Sequence, residues 1–237
     1  ERIAPNREDE EHVNIFKAFK VLYTYKPFLL NTLYEFFYGA ILLSLLTSLT
    51  YYATYVIGSS GYSMYLEAAY MVASLIATIF VAKINDKIGR KKTMLLGGIF
   101  FVIGKIWFAF NPTSMGAVYT NCISTGIAVA LTFVMFNTNR NSLSDLVEWR
   151  EGRRYDGMIG TADNFATKMG DALNAKLLTG ALAAAGYDAT LQVQPESAVN
   201  AINAMMGWVP AIFGVLIIII VCFLDIDGEL EKMRKER

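Results

Sequence analysis

Six long apolar stretches, separated by short polar segments, dominate the chain. They cover approximately residues 27–57, 64–82, 93–110, 115–136, 157–186 and 201–224. A helix of about 20 residues, at ~1.5 Å per residue, crosses the ~30 Å hydrocarbon layer of a bilayer. Of the 237 residues, 54% are hydrophobic and only 18% are charged, which is too few for the surface of a soluble domain. We therefore predict an all-α integral membrane protein built as a bundle of six transmembrane helices.

The spans divide the chain into three parts. Residues 1–26 are predicted to form a cytoplasmic linker with a short interfacial helix, residues 27–224 the six-helix bundle, and residues 225–237 a cytoplasmic tail. One face of the interfacial helix would carry Ile15, Phe16, Phe19, Leu22 and Tyr23. The chain starts at Glu1, without an initiator methionine or a signal peptide, so we expect it to be part of a longer polypeptide.

The 21 Lys and Arg residues are distributed unevenly along the chain. Eighteen of them lie in residues 1–26, 83–92, 137–156 and 225–237. The segments without any are 58–63, 111–114 and 187–200. Because cytoplasmic loops carry the excess of positive charge in membrane proteins, we predict that both ends, and the loops after the second and fourth spans, lie in the cytoplasm.

The fifth span carries polar side chains near its middle. Asn164, Lys168 and Asp171 are offset by four and three residues, so on a helix they point the same way. An ionised lysine at the bilayer centre costs roughly 2.5–3.5 kcal/mol on insertion scales, so it should face a partner or a wet cavity. We predict that these three residues line a substrate or coupling site. A static, neutralised pair of Lys168 and Asp171 is the structural alternative.

The first span carries a second polar stripe. Its members recur at intervals of four and three residues: Asn31, Glu35, Tyr38, Leu42, Leu45, Leu49 and Tyr52. The amide and phenol groups at one end suit the hydroxyls and the weakly apolar face of a sugar, so Asn31 and Tyr38 are candidate substrate ligands. A helix-packing seam is the alternative, and the three leucines favour it. Glu35, about 12 Å deep, is predicted to make a gating or packing contact.

The remaining polar groups in the spans receive simpler predictions. Lys105 and Lys176 are expected to extend along their apolar stems toward the membrane surface. Asp163 projects nearly opposite Lys168, and the sequence assigns it no role. Cys122 and Cys222 are expected at depths that differ by ~15–20 Å, beyond the ~7 Å limit for a disulfide, so two free thiols are predicted.

The loop between the second and third spans contains a recognisable pattern. Asp86, Gly89, Arg90 and Lys91 follow the order D-x-x-G-R-K. An acid that caps a helix start, together with a basic cluster at the membrane surface, can hold one half-bundle against its neighbour. The pattern resembles the signature of the major facilitator superfamily, which implies a cytoplasmic latch made by these four residues.

The segment before the fifth span carries a more specific pattern. It consists of Asp145, Glu148, Trp149, Gly152 and Arg154, with Lys168 twenty residues after the glutamate. This pattern resembles the glycoside-pentoside-hexuronide:cation symporters, the family of melibiose permease. The resemblance covers essentially the whole chain, as the C-terminal six helices of a twelve-helix transporter. One departure is Ser142, which stands where the family usually has an aspartate and weakens the expected set of cytoplasmic ion pairs.

The resemblance implies sugar transport coupled to Na⁺ or H⁺ by alternating access, in a bacterial inner membrane. In the family the lysine matching Lys168 lies beside both cation and sugar, and a sugar-contacting aromatic of the preceding helix falls at Phe133. Asp145, Glu148 and Arg154 would belong to the cytoplasmic latch. The carboxylates that hold the cation belong to the N-terminal half, which is the expected partner; no resident cofactor or metal is implied.

Other functions are weighed against transport. An enzyme is not expected, because the only histidine is His12 in the N-terminal linker and the chain has no metal or dinucleotide motif. Nothing in the sequence suggests a nucleic-acid partner. Two alternatives stay open: a transporter of lysolipid or another amphiphile, with a wide apolar cleft, and a self-associating six-helix module without transport activity of its own.

Overall fold

The computed structural model describes residues 15–236, apart from the side chains of residues 15–18, Leu43 and Phe133. The helices are α1 (Ile15–Thr24), α2 (Lys26–Tyr52), α3 (Tyr62–Ile88), α4 (Arg90–Phe110), α5 (Met115–Glu151), α6 (Asp156–Ala184), α7 (Glu196–Met206), α8 (Trp208–Phe223) and α9 (Ile226–Glu236). A π-helical turn, Ala53–Ile57, continues α2.

Four of these helices, α2 to α5, and the joined segment α7–α9 have the length and composition of membrane spans. Within the described residues, five segments are long and apolar enough to cross a membrane: Lys26–Ile57, Tyr62–Ile88, Arg90–Phe110, Met115–Glu151 and Glu196–Glu236. α6 has 29 residues, about 43 Å of helix, but its charged and small side chains make it less apolar. It packs along α2 and completes the bundle. The predicted all-α membrane bundle is therefore confirmed.

The two basic segments between spans are helical rather than looped. α3 ends at Ile88 and α4 begins at Arg90, so the predicted loop at 83–92 is reduced to Gly89. The φ angle of Gly89 is 81°, a left-handed conformation that residues with a Cβ rarely adopt. α5 likewise continues through most of the predicted loop at 137–156 and ends at Glu151. Charge had suggested a loop, although Leu, Glu and Arg in these segments favour helix.

The last span is interrupted at Gly207, between α7 and α8. Pro210 has no N–H to donate to the carbonyl of Met206, so one helical hydrogen bond is missing there. A side chain at Gly207 would crowd α4, because an added Cβ would lie 2.9 Å from the Cβ of Ala109. The break therefore sits where α7 and α8 pass close to α4.

The packing order places α3 and α6 at opposite ends of the bundle. α2 lies between α6 and α8, α5 lies between α3 and α4, and α4 packs against α8. α6 therefore contacts its neighbours mainly through the side that faces α2. The other side of α6 is exposed, and it carries several of the residues singled out from the sequence.

Two smaller predictions also have outcomes. The helix α1 precedes the first span, and its Leu22 is buried against the bundle, whereas the side chains of Ile15 and Phe16 lie outside the described residues. Cys122 and Cys222 are both free thiols, the first buried and the second exposed, which confirms that prediction.

Candidate functional site

The exposed side of α6 presents Asn164, Lys168 and Asp171 together. The Lys168 Nζ lies 3.0 Å from Asp171 Oδ2, and the two side chains are 80% and 21% exposed. Asn164 is also exposed. Lys168 thus points away from this bundle while keeping the partner that its i,i+3 spacing offers.

The opposite side of α6 explains why Lys168 faces outward. The buried residues on α6 recur mostly every four residues: Ala162, Ala166, Gly170, Asn174, Leu178 and Leu182. Lys168 is two residues from Gly170, about 200° around a helix with 3.6 residues per turn. Because that buried stripe packs on α2, Lys168 is held on the far side.

Two glycines bring α2 and α6 into backbone contact. A Cβ added at Gly170 would overlap the carbonyl oxygen of Phe36, and one added at Gly39 would overlap the carbonyl oxygen of Thr167. Small residues of this kind let helices in membranes approach closely. The rotation of α6, and with it the direction of Lys168, is fixed by this contact.

Tyr38 and Asn31, two of the other three predicted substrate residues, are not on that exposed face. Tyr38 is buried and stacks on Tyr34, with ring centroids 6.1 Å apart. Asn31 is fully buried in the bundle. Phe133 belongs to α5, but its side chain lies outside the described residues. The structure therefore brings Asn164, Lys168 and Asp171 together and separates them from Tyr38 and Asn31.

The polar stripe of α2 has the character of a packing seam. Six of its seven residues are buried, and Leu42 is half-buried. At the far end of the stripe, the Tyr52 hydroxyl donates a hydrogen bond to the carbonyl of Pro112. The packing alternative, which the three leucines favoured, describes this seam within the bundle.

Beneath the exposed face lies a buried acidic pair that the sequence did not bring together. Glu35 on α2 and Asp163 on α6 are each only 1% exposed. The two carboxylates repel one another electrostatically, and Arg140 on α5 attracts both. Asn31 lies beside Asp163 without completing a hydrogen bond to it. The sequence contained one indication that Asp163 is buried. It lies seven residues before Gly170, so the two residues share a face of the helix.

Arg90 joins three helices at one end of the bundle. Its guanidinium donates to the Ser142 hydroxyl at 3.0 Å and to Asn139 Oδ1 at 3.4 Å on α5. It also pairs with Asp227 on α9 at 3.4 Å. Next to it, Lys91 donates to the carbonyl of Cys222 at 2.7 Å. These two residues hold the start of α4 against α5, α8 and α9.

Asp86 does not cap a helix start, contrary to the sequence interpretation. It lies exposed in the last turn of α3, and the residue that precedes α4 is Gly89, which has no side chain to accept a bond. Since only one residue separates α3 from α4, an acid three positions before Gly89 falls on the preceding helix.

Arg154 forms ion pairs with the two acids of the second motif and with Asp156. It lies 3.3 Å from Asp145, 3.4 Å from Glu148 and 3.4 Å from Asp156, and so links the end of α5 to the start of α6. All four side chains are 42% exposed or more. Exposed pairs of this kind contribute ~0–1 kcal/mol each, so the cluster can open at small cost. Glu35, grouped with these residues in the sequence, lies instead inside the bundle beside Asp163.

Lys105 is buried rather than extended toward the surface. It is 1% exposed, and its ammonium lies 5.1 Å from the centroid of the Phe101 ring. The prediction that it reaches the membrane surface is therefore wrong, because its stem follows the inner side of α4. Lys176 is exposed on α6.

Apolar helices of membrane-spanning length, with ionisable residues on one open face, define a multi-pass membrane protein of the transporter type. A family model described as MFS/sugar transport protein matches residues 2–228, and the chain belongs to that family. This confirms the resemblance stated from the sequence motifs, and it places the chain in a family of transporters rather than of enzymes.

Curated relatives agree with this assignment. The chain is 28% identical over 168 residues to the isoprimeverose transporter of Lactiplantibacillus pentosus, covering 68% of this chain and 34% of the relative. It is 26% identical over 227 residues to the uncharacterized symporter YjmB of Bacillus subtilis (strain 168), covering 94% and 49%. An uncharacterized 29.9 kDa protein of Pseudescherichia vulneris is 26% identical over 171 residues, covering 71% and 62%. The chain thus spans between about a third and three fifths of these relatives.

Proposed function

We propose that this chain is the C-terminal half of a sugar:cation symporter that works by alternating access in a bacterial inner membrane. Its partner would be an N-terminal six-helix half, and its substrate a glycoside, pentoside or hexuronide carried with Na⁺ or H⁺. Both ends of the chain would lie in the cytoplasm. The names of two relatives support this proposal. The isoprimeverose transporter supports a sugar as the substrate, and the symporter supports a coupled cation.

The exposed polar face of α6 is the observation that carries this proposal. A lysine that is 80% exposed at mid-span would cost roughly 2.5–3.5 kcal/mol or more against lipid. Opposite the second half of a transporter, the same ammonium would face a water-filled cavity. There it would attract carboxylates of the partner half or of an acidic substrate, and Asp171 would hold it in place when the cavity is empty.

The latch residues fit the conformational part of the cycle. Arg154 with its exposed acids would open and close as the two halves rock, because each exposed pair costs little to break. Arg90, which is 14% exposed, would instead keep α4, α5 and α9 moving as one body. These roles act on the populations of the inward and outward states rather than on substrate affinity.

Transport by the complete polypeptide tests the proposal. Lys168→Ala should abolish coupled accumulation in membrane vesicles, because the tethered charge that links sugar and cation is gone. Lys176→Ala, eight residues along the same exposed helix, is the matched control and should accumulate sugar normally. A counterflow screen with glycosides, pentosides and hexuronides, in Na⁺ and in Na⁺-free buffer, identifies substrate and cation. Normal accumulation by Lys168→Ala would show that the site is elsewhere.

A second candidate, transport of an amphiphile, is favoured by one observation. A groove of about 600 Å³ between α3 and α4, floored by α5, is lined by Ala, Val, Ile, Leu and Phe only. It lies at the other end of the bundle from Lys168, and any membrane protein exposes apolar surface to acyl chains. Lysolipid uptake that exceeds uptake of every sugar in the screen would favour this candidate. A self-associating module would form oligomers and transport neither.

A further inference from the structure

The buried acids Glu35 and Asp163 lie in a pocket of the bundle that has more negative than positive charge. Each is 1% exposed, and they come from different helices, α2 and α6. Counted from the helix starts at Lys26 and Asp156, which lie on the same side of the bundle, they are about 14 Å and 10 Å deep. Two buried carboxylates therefore lie at similar depth on the two helices that are in backbone contact, and they are close enough for Glu35 to feel the charge of Asp163.

Among the residues that the structure describes, only one cation acts on both acids. Arg140 on α5 attracts the two carboxylates, and its guanidinium packs directly on Gly160, one turn before Asp163. The other titratable groups that act on the pair are Tyr23 on α1 and both Tyr34 and Tyr38 on α2, which carry no positive charge. With both acids ionised, the group would keep one uncompensated negative charge, which is costly in a buried site.

The polar atoms around the two acids are also short of hydrogen-bond donors. Among the described residues, Glu35 Oε1, both carboxylate oxygens of Asp163 and both amide atoms of Asn31 are buried without a partner. These atoms without partners are four oxygen acceptors and one NH₂ donor. An ionised carboxylate only accepts hydrogen bonds, whereas a protonated one supplies an O–H donor. One added proton would cancel the excess charge and give the acceptors a donor.

We propose that Glu35 and Asp163 form a proton-binding site that holds one shared proton inside this half of the bundle. The site is distinct from the exposed Lys168, which lies about 140° around α6 from Asp163. It depends on the fold of this chain and not on which solute is carried. Because both acids and Arg140 lie on three different helices, release or uptake of the proton would change the attraction between α2, α5 and α6.

Infrared difference spectroscopy of the complete polypeptide tests the proposal. At about pH 7, where ordinary Asp and Glu side chains with pKa values of ~4 are ionised, the wild-type protein should show the carbonyl stretch of a protonated carboxylic acid. Glu35→Gln and Asp163→Asn should each remove that band. Glu231→Gln, whose side chain is 70% exposed on α9, is the matched control and should leave the band unchanged.

Each result either supports the shared proton or overturns it. A spectrum without a band that responds to either variant would overturn the proposal. A wild-type band that is present in choline and lost in Na⁺ at constant pH would support the proton site and show that Na⁺ competes for it. If neither variant folds, carbodiimide labelling of the wild-type protein replaces them, since a hydrophobic carbodiimide modifies protonated buried carboxyls. Labelling of Glu35 or Asp163 at neutral pH would support the proposal, and its absence from both would refute it.

Discussion

Substitution of Gly170 by alanine tests the contact that orients α6. A Cβ at this position would overlap the carbonyl oxygen of Phe36 and lie 2.8 Å from the amide nitrogen of Ala40. Both are backbone atoms of α2, which cannot rotate away as a side chain could. The methyl group can be accommodated only if α2 and α6 move apart.

The expected cost follows from this geometry. Overpacking costs ~1–3 kcal/mol, and a clash with backbone belongs at the upper end of that range. Alanine in place of a helical glycine recovers roughly 0.5–1 kcal/mol, which leaves a net loss of about 2 kcal/mol. Gly180, ten residues further along the same helix, has nothing within 4 Å of an added Cβ. Gly180→Ala should therefore gain roughly 0.5–1 kcal/mol, so the two variants differ by about 3 kcal/mol.

Thermal unfolding of the purified variants, followed by the loss of the monodisperse species, measures this difference. At roughly 2–4 °C per kcal/mol for a chain of this size, Gly170→Ala should unfold about 6–12 °C below Gly180→Ala. Equal melting temperatures, or a higher one for Gly170→Ala, would mean that α2 and α6 are not in backbone contact. The account of why Lys168 faces outward would then be wrong.

Two further predictions concern other parts of the chain. A membrane-permeant maleimide should label Cys222 in the native protein and Cys122 only after unfolding, because the first thiol is exposed and the second buried; native labelling of both would contradict the packing of α5. Arg90→Gln should weaken the hold on α9 by about 1 kcal/mol, the upper value for a partly exposed pair, and speed limited proteolysis there roughly fivefold. Lys92→Gln, at an exposed neighbouring position, is its control, and equal cleavage of the two would show that Asp227 does not anchor α9 through Arg90.

The membrane bundle and the polar face of α6 could be predicted because each depends on the pattern within one helix. Length and apolar content define a span, and offsets of three and four residues define a face. Lys168 and Asp171 are bonded at 3.0 Å as their spacing indicates. Where charge was used to place loops, the prediction failed, since α3 and α5 remain helical through their basic ends.

The buried acidic site could not be predicted, because it depends on contacts between three helices. Arg140 fell in a segment that the sequence suggested was a loop, whereas it lies on α5 and packs on Gly160 of α6. Glu35 was expected to be a gating or packing contact, yet its neighbour is an acid 128 positions later in the chain. Periodicity shows on which face of a helix a residue lies. It does not show which other helix packs against that face.

A long-range ion pair also bears on the consequence of the departure at Ser142. Loss of an aspartate there suggested a weaker set of ion pairs, but Arg90 still has a carboxylate partner, Asp227, supplied by the C-terminal helix. The Ser142 hydroxyl accepts a hydrogen bond from the same guanidinium at 3.0 Å. A missing acid in a motif therefore does not show that its cation is unpaired.

α6 carries different chemistry on its two sides, and one contact fixes both. Lys168 and Asp171 are on the exposed side, and Asp163 is on the side that packs on α2. Because Gly170 sets the rotation of the helix, its substitution should disturb transport and the buried proton together. Lys168→Ala should affect transport alone, and Asp163→Asn should remove the buried proton without moving Lys168. If Gly170→Ala changed only one of the two properties, the sides of α6 would not be rigidly linked.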